Sequence, residues 1–206
     1  VHGCGFVLYV DGTTYLARNG VTGANAYSGT IFATVIQNVF SNIGAGDTVC
    51  FNSGDTFSLT AQVTVPVSTS IFAYGVTIRW TGSAPAADTA MFVNSASIAV
   101  NWYGGTIDQN DVSNVFAIGF GSSLGANPSF AVTSSVIRDL RIINILDDGL
   151  IMQHTSNTNI HIDNLYTLKS STGTSADTVE VTGTSVYVSG FFDQNNVAAS
   201  SFTSAY

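Results

Sequence analysis

One short pattern of alternating apolar and polar residues returns three times in the second half of the chain. The copies begin at Ser135, Asn159 and Ser185, with spacings of 24 and 26 residues. Between them a second piece recurs, an acidic residue followed by an apolar run, at Asp148 and Asp177. Such alternation, bounded by Gly, Asn, Ser and Asp, predicts short strands joined by tight turns. Because no helix separates the strands, a step of this size predicts the coils of a parallel β-helix.

The same pattern extends towards the N-terminus and predicts about six coils. The aligned apolar positions are Val49, Ile71, Ile98, Val136, Ile160 and Val186. One long step indicates an insertion at residues 121–128, a loop expected to project from the solenoid wall, where it either builds a binding face or is simply tolerated. We therefore expect one all-β domain, with a strand, loop and capping helix in residues 1–46 and the coils in residues 47–206.

Residues 30–43 follow a helical period instead. Their apolar residues form one stripe, with Thr30 placed to cap the start of the helix and Gly44 its end. The opposite face, which includes Gln37 and Asn38, carries no charge. Two interpretations remain open: the whole chain is poor in charge, or this face meets another subunit.

Residues 46–57 have the pattern Gly-Asp-Thr-Val-x-Phe-x-x-Gly-x-x-Phe. An amphipathic helix, this segment and coils of about 25 residues together resemble the entry of the pectin-lyase-like right-handed parallel β-helix superfamily. The resemblance implies that the helix plugs the first coil. Because the superfamily holds lyases, hydrolases, phage tailspikes, adhesins and domains without catalysis, it implies an architecture and leaves the chemistry open.

Composition excludes several classes of partner. Charged residues make up 9% of the chain, the net charge is −8, and Lys and Arg together number five. Binding to nucleic acid or an anionic membrane needs clustered cations, so neither is expected. No apolar run reaches the roughly 20 residues of a membrane span. The neutral polar surface, and a chain that opens on Val1 as a processed end would, predict a secreted or cell-surface protein.

The two cysteines, Cys4 and Cys50, leave two states open. A disulfide is expected outside the cell if the N-terminal segment lies over the outer face of the strand that carries Cys50. Two buried thiols are equally consistent with the sequence.

Asp147-Asp148-Gly149 resembles the paired aspartates of polygalacturonases, which share the β-helical fold, and His154 lies six residues beyond Asp148. The other motifs of those enzymes, an Asn-Thr-Asp segment, a Gly-His-Gly turn and an Arg-x-Lys strand, are absent. Asp147, Asp148 and His154 are therefore the candidate catalytic residues only under the alternative hypothesis of a polysaccharide-active enzyme. Because the other motifs are absent, the protein is expected not to be an enzyme.

Acidic and amide residues also align between successive coils, at Asp88, Asn114, Asp148 and Asp177. Side chains in one column lie about 5 Å apart. Three interpretations apply: turn residues that bond to the backbone, a Ca²⁺ site, or a catalytic pair. No other cofactor is expected.

A lyase would need a strong base beside a Ca²⁺-bound sugar acid. Arg138, Arg141 and Lys169 are the candidate bases, with Asp139 and Asp163 as candidate ligands. Arg138 lies on the outer strand face, and with Asp139 beside it in the sequence it is expected to form a surface ion pair.

Exposed aromatic residues bind sugars by stacking on their rings. Tyr187, Trp102 and Tyr103 are the candidate carbohydrate-binding residues, and strand alternation places Tyr187 on the outer face. The remaining aromatic residues are expected to fill the solenoid or line its ends.

Both ends of the chain lack the charges that usually protect strand edges. This favours a structural protein that assembles end to end into a filament or surface layer as a homo-oligomer. The alternative is a polysaccharide-active enzyme or carbohydrate-binding domain that uses the outer face. The candidate assembly residues are Phe6, Leu8, Gln37, Asn38, Phe202 and Tyr206.

Overall fold

The computed structural model describes residues 3–66, 68–94, 96, 99–121, 130–169 and 178–194, together with the backbone of 201–205. These residues are mostly β, with a single short helix. In chain order the elements are β1 (Phe6–Asp11), β2 (Thr14–Asn19), β3 (Asn25–Gly29), α1 (Phe32–Phe40), β4 (Thr48–Phe51), β5 (Thr56–Leu59), β6 (Val63–Val65), β7 (Thr69–Phe72), β8 (Thr77–Trp80), β9 (Thr89–Asn94), β10 (Val100–Tyr103), β11 (Thr106–Asp108), β12 (Val115–Gly119), β13 (Val136–Arg138), β14 (Arg141–Ile145), β15 (Leu150–Met152), β16 (Thr158–Lys169), β17 (Val179–Gln194) and β18 (Ser201–Ala205).

All the described strands belong to one hydrogen-bonded sheet, which is parallel apart from the β1–β2 and β2–β3 pairs. Each strand pairs with the third strand along the chain, which produces three ladders. The first ladder runs β4–β7–β10–β13, the second β5–β8–β11–β14, and the third β6–β9–β12–β15. The long strand β16 continues the first two ladders, and β17 continues all three. This arrangement is compatible with an all-β solenoid.

The core lies between the ladders, because alternate side chains of each strand point inward. In the first ladder the inward column is Val49, Ile71, Trp102, Ile137 and Ile162, all of them buried. After each strand of this ladder the chain turns at a residue with positive φ. Those residues include Gly54, Gly75, Gly104, Asp139, Asn164 and Gly190. Gly, Asn and Asp are the residues that adopt this conformation at least cost.

The register differs from the predicted alignment at two places. Val136 pairs with the outward residue His161, so that Ile137 takes the inward position. Because Val136 and Ile137 are both apolar, alternation alone leaves their phase undefined. The inward partner of Ile71 is Trp102 rather than Ile98, which lies outside the described residues. Arg138 pairs with Asp163 rather than His161, although it does lie on the outer face.

The N-terminal end of the sheet is covered, contrary to the prediction of an open edge. Strand β1 pairs in parallel with β4 and antiparallel with β2, which in turn pairs with β3. Phe6 and Leu8 are consequently buried, with Leu8 fully enclosed. Their assignment as assembly residues is wrong, since a strand inside a sheet presents neither its edge nor its inward side chains to a partner.

Helix α1 is shorter than the predicted 30–43. Ile31 is its N-cap residue and makes no side-chain capping bond, and Ser41 is its C-cap residue. Thr30 and Gly44 therefore do not cap it. The apolar stripe is buried as expected, and Phe32 packs against the aromatic rings of Tyr15, Phe51 and Phe57. The helix lies against β2, β3, β5 and β6, at the end of the sheet where the second and third ladders begin.

Gln37 of α1 occupies the free edge of β6. Its Nε2 donates to the carbonyl oxygen of Thr64 at 3.2 Å, and the Thr64 N–H donates to its Oε1 at 2.9 Å. The side-chain amide thus replaces the strand that would otherwise precede β6. Its assignment as an assembly residue is wrong, because both of its hydrogen-bonding groups are engaged within the chain.

Cys4 and Cys50 form a disulfide across 46 residues. It ties the segment before β1 to the outer side of β4. Closing a loop of this length in the unfolded chain corresponds to about 4 kcal/mol of stabilisation in the chain-entropy model.

Several predictions fall on residues beyond the described parts of the chain: residues 122–128 of the predicted loop, Asp177, the side chain of Phe202, and Tyr206. The division into residues 1–46 and 47–206 stays a prediction. Among the described residues, no helix has the length and apolar character needed to cross a bilayer.

The bond between Gln37 and Thr64 predicts a difference between two neighbouring substitutions. Gln37→Leu leaves the Thr64 N–H and carbonyl without partners, and should lower the free energy of unfolding by about 1–3 kcal/mol. Asn38→Leu makes the same chemical change at the next, exposed residue and should change it by less than about 0.5 kcal/mol. Urea denaturation followed by fluorescence measures both values. Equal losses in the two variants would show that Gln37 does not act as an edge cap.

Candidate functional site

The outer side of the first ladder carries aromatic and charged residues in two columns. Strand register places Cys50, Phe72, Tyr103, Arg138, Asp163 and Ser189 in one column, and Ser70, Asn101, Val136, His161 and Tyr187 in the other. We call this surface the aromatic face and define it by Phe72, Tyr103, Arg138, His161, Asp163 and Tyr187. Two of the three predicted carbohydrate-binding residues, Tyr103 and Tyr187, lie on it.

Contacts between neighbouring strands order the aromatic face. The rings of Phe72 and Tyr103 stack at 4.7 Å, and those of His161 and Tyr187 stack at the same distance. Between the two stacks, Arg138 Nε lies 3.0 Å from the carboxylate of Asp163. Tyr187 remains 57% exposed. The face therefore presents rings that their neighbours in the sheet hold in order, with Phe72 and Tyr103 partly buried and His161 and Tyr187 exposed to solvent.

Asp163 is held in its ionised form. The Ser189 hydroxyl donates to Asp163 Oδ1 at 2.7 Å and lowers the pKa of the carboxyl, and Arg138 lowers it further. Arg138 thus pairs with Asp163 of the next repeat rather than with the expected Asp139, which accepts hydrogen bonds from Tyr74 and Asn164 instead. Because both groups are exposed, the pair contributes little to stability and chiefly fixes the position of the guanidinium.

Trp102 does not belong to this surface, and its assignment as a carbohydrate-binding residue is wrong. It is fully buried, packs against Phe92 at 4.8 Å, and donates its indole N–H to the carbonyl of Gly104 at 2.9 Å. The reason is its position in β10, where Trp102 takes the inward phase and Tyr103 the outward phase. No face of the indole ring is left for a sugar.

A groove adjoins the aromatic face at the corner between the first and second ladders. Its volume is about 700 Å³. We call it the corner groove and define it by the residues Tyr74, Gly75, Val76, Thr77, Gly105, Thr106, Asp139, Leu140, Arg141, Asn164 and Tyr166. The lining comes from the corners that follow β7, β10 and β13 and from the corner within β16, so that four successive repeats contribute to it.

Tyr74 and Asp139 form the centre of the corner groove. The Tyr74 hydroxyl donates to Asp139 Oδ2 at 2.9 Å, and the Asn164 amide donates to Asp139 Oδ1 at 2.8 Å. Burial raises the pKa of Tyr74, and the hydrogen bond to Asp139 raises it further. The phenol thus stays protonated and keeps its role as donor. On the other side of the groove, the Arg141 guanidinium lies 4.7 Å from the centre of the Tyr166 ring.

The three predicted catalytic residues do not come together. Asp147 and Asp148 precede the strand β15, whereas His154 follows it, so the strand separates them. Asp147 accepts a hydrogen bond from the Asn114 N–H at 2.7 Å, and His154 Nδ1 accepts one from the Ser156 N–H at 3.1 Å. The residues lie at the two ends of one strand, and a joint catalytic role for the set stays a prediction.

Asp148 nevertheless has an unusual environment. Burial raises its pKa to about 7, and the neighbouring carboxylates of Asp88 and Asp147 add to this effect. Lys169 acts in the opposite direction and is itself 1% exposed. The carbonyl of Asp148 is fixed by the Gln109 amide at 2.8 Å. The site can therefore hold a proton near neutral pH.

A metal centre finds no support in the described parts of the chain. No group there of three or more His, Cys, Asp or Glu side chains has a geometry that would hold a metal ion. The predicted column of Asp88, Asn114, Asp148 and Asp177 is interrupted between Asn114 and Asp148. Ile118 pairs with Leu150, and in this register Asp148 lies two residues away from the position opposite Asn114. The Ca²⁺ site proposed for that column is not formed by the residues described.

The candidate lyase bases are also dispersed. Arg138 is paired with Asp163 on the aromatic face, Arg141 lies at the corner groove, and Lys169 is enclosed in the interior. Because Lys169 is not accessible to a polymer, its assignment as a base is wrong.

The predicted assembly residues differ in whether they are available to a partner. Asn38 is exposed on α1, whereas Phe6, Leu8 and Gln37 are engaged within the chain. At the other end of the sheet, β17 beyond residue 185 pairs with β16 on one side only among the described strands. End-to-end assembly therefore stays a prediction.

Sequence reasoning missed Tyr74 and the corner groove. The lining residues lie in four repeats and are far apart in the sequence. A signal was present in the sequence, because the same corner follows each strand of the first ladder. The residues at that corner are Tyr74-Gly75, Gly104-Gly105, Asp139 and Asn164. Correct register would have brought them together before the structure was known.

Comparisons with protein-family models, with curated proteins and with solved structures return no match to this chain. Function is therefore argued from the geometry of the aromatic face and the corner groove.

The environment of Asp148 predicts a pH dependence. Its folded pKa of about 7 lies above the ordinary 3.8, so the folded protein binds this proton more tightly than the unfolded chain does. The contribution of the Asp148 proton to the free energy of unfolding is fully present below about pH 4 and is lost as the pH rises towards 7. Asp148→Asn removes the loss, and its stability relative to the wild type should rise by about 1–2 kcal/mol between pH 5 and 8, after allowance for partial exposure. Thermal unfolding across this pH range measures it, and parallel curves for the two proteins would contradict it.

Proposed function

We propose that this chain is an extracellular right-handed parallel β-helix whose aromatic face binds polysaccharide. The observation that carries the proposal is the stacking of outward aromatic rings on successive strands, Phe72 on Tyr103 and His161 on Tyr187. Sugar rings have apolar C–H faces that pack on exposed aromatic rings, while their hydroxyls need hydrogen-bond partners at the edges. The Arg138 and Asp163 pair supplies such partners between the two stacks.

The fold part of the proposal is supported by the three ladders and by a general rule. Parallel strands joined by a crossover in one sheet are right-handed in about 98% of cases. A chain that repeats this crossover through three ladders would wind as a right-handed helix. Such an architecture agrees with the likeness of residues 46–57 to the pectin-lyase-like superfamily, which we retain as a proposal.

Extracellular location is supported by the disulfide and by composition. Disulfides persist in oxidising compartments and are rare in the cytosol. The Cys4–Cys50 bond closes the N-terminal segment onto the sheet. A chain with 9% charged residues and abundant Ser, Thr and Asn agrees with this location.

Binding is favoured over catalysis. The Asp147 and Asp148 pair lies at the start of β15, in the third ladder, whereas the aromatic rings lie on the first ladder. A hydrolase or lyase would need its reacting groups beside the rings that hold the sugar. The carbohydrate-binding function therefore fits the geometry better than the polysaccharide-active enzyme.

Removing the open rings should weaken binding. Tyr187→Ala and Tyr103→Ala should each raise the Kd for a bound polysaccharide about 3- to 10-fold, since one stacking contact is lost. Phe130→Ala is the matched control, because Phe130 is 39% exposed and lies outside the aromatic face. Depletion of the protein from solution by insoluble cell-wall polysaccharides measures the Kd. Equal binding by all four proteins would contradict a role for this face.

A second candidate function is self-association through the end of the sheet formed by β17. Val188 continues the inward column above Ile162, yet it is 36% exposed whereas Ile162 is 1% exposed. Within the described residues nothing pairs with β17 above this point, so a backbone edge and an apolar surface are both open. A second copy added there would extend the ladders.

Charge at that end should block association. Val188→Glu places a carboxylate on the inward column and should shift any oligomer to monomer. Tyr187→Glu places the same charge on the outer side of the same strand and should leave the mass unchanged. Light scattering coupled to size exclusion measures the mass. A wild-type protein that is monomeric at high concentration would contradict self-association.

A further inference from the structure

We propose that the corner groove is a second polysaccharide subsite, and that it selects an uncharged glycan chain running along the stack of repeats. The inference rests on the proposed function, because it extends the binding surface from the aromatic face around the corner of the sheet. It adds a ligand class and a set of residues that the aromatic face does not contain.

The first argument is the way in which Tyr74 is held. A Cβ placed on Gly104 would lie 2.4 Å from Cδ1 of Tyr74 and 2.6 Å from its Cγ, so the ring rests directly on glycine backbone. Gly104 also has a positive φ of 77°, which suits glycine. The hydroxyl is fixed by Asp139 at 2.9 Å. One face of the Tyr74 ring thus packs on the backbone and its hydroxyl is hydrogen-bonded, yet the residue is still 47% exposed. The exposed part of the ring is therefore a rigid surface.

The second argument is the shape of the groove floor. Gly105 lines the groove without a side chain, so backbone is exposed at this level. A larger residue is excluded there, because a Cβ would lie 2.5 Å from the carbonyl oxygen of Ala73 in the preceding repeat. Four repeats contribute to the groove, and at the usual strand spacing three intervals cover about 14 Å. That length matches a run of several sugar rings rather than one monosaccharide. In the second ladder Tyr166 pairs with Phe192 of the next repeat, which is 66% exposed. Phe192 therefore adds one more aromatic ring beyond Tyr166.

The third argument concerns charge. Asp139 lies at the centre of the groove, and both of its carboxylate oxygens already accept hydrogen bonds from within the chain. Arg141 supplies a positive charge, and among the described residues its guanidinium has no carboxylate partner within ion-pair distance. The whole chain carries a net charge of −8. An acidic polysaccharide would meet repulsion from this field, whereas an uncharged one would not.

The fourth argument is the supply of hydrogen-bonding groups. The groove offers the hydroxyls of Thr77 and Thr106, the amide of Asn164 and the guanidinium of Arg141. These are donors and acceptors suited to sugar hydroxyls. Aromatic rings and a few fixed polar groups along an open groove suit a neutral glycan. They suit a phosphate ligand less well, because such a ligand would need more cations.

Affinity electrophoresis of the native protein tests the inference. The gels contain either a neutral polysaccharide, mixed-linkage β-glucan or galactomannan, or an acidic one, polygalacturonate or alginate. We expect retardation in at least one neutral gel and weaker retardation in the acidic gels. Tyr74→Ala should raise the Kd in the neutral gel about tenfold. Tyr74→Phe keeps the ring and should stay within about threefold of the wild type.

A second variant guards against misfolding of Tyr74→Ala. Thr106→Gln adds uncharged bulk to the groove and leaves Tyr74 in place, and it should weaken retardation in the neutral gel as well. Tyr187→Ala is run beside it as the variant of the aromatic face. Thermal unfolding of every variant confirms that each is folded.

The outcomes separate the two proposals. If Tyr187→Ala weakens binding while Tyr74→Ala and Thr106→Gln do not, the corner groove is not a subsite and the aromatic face stands alone. Retardation by acidic polysaccharides only would overturn the neutral ligand class and leave the proposed function in place. A wild-type protein that no gel retards would overturn both proposals together.

Discussion

Backbone hydrogen bonds between successive repeats are the constraint on which the rest of this structure depends. They hold parallel strands in register, so each side chain lies about 4.8 Å from its equivalents in the neighbouring repeats. An inward position must then be apolar at every level, as in the column that contains Ile71, Trp102 and Ile137. An outward position meets its neighbours in the same way, and this is why Phe72 stacks on Tyr103 and His161 on Tyr187. The surface inherits its order from the backbone.

The same constraint creates open edges where the ladders begin, and the chain closes each of them differently. In the first ladder, β1 and the antiparallel strands β2 and β3 precede β4. In the second, the Ser58 N–H of β5 donates to the Tyr15 hydroxyl at 3.3 Å. In the third, the Gln37 amide bonds to both backbone groups of Thr64. Side chains thus complete the cover where no strand is available, and α1 is positioned by this task as well as by its apolar stripe.

Periodicity was sufficient to predict stacked short strands and one amphipathic helix, because burial in a regular array leaves a regular pattern. It failed at Val136 and Ile137, where two apolar neighbours hide the phase, and that error placed Arg138 opposite the wrong partners. Trp102 was assigned to the surface by its chemistry, although its phase in β10 puts it inside. The corner groove was missed for a different reason. Its residues are far apart in sequence, and only the register shows that Tyr74 and Asp139 meet.

The repeats turn their first corner at residues with positive φ, among them Gly104, Asp139, Asn164 and Gly190. Because the repeats are in register, each contributing repeat adds one level to the aromatic face, and four of them add one level each to the corner groove. Duplication or loss of a repeat would lengthen or shorten both surfaces by one strand spacing and leave the remaining levels as they were. If the two surfaces bind a glycan as proposed, the length of ligand in contact with them would change by whole repeats, which recombination within a gene can add or remove one at a time.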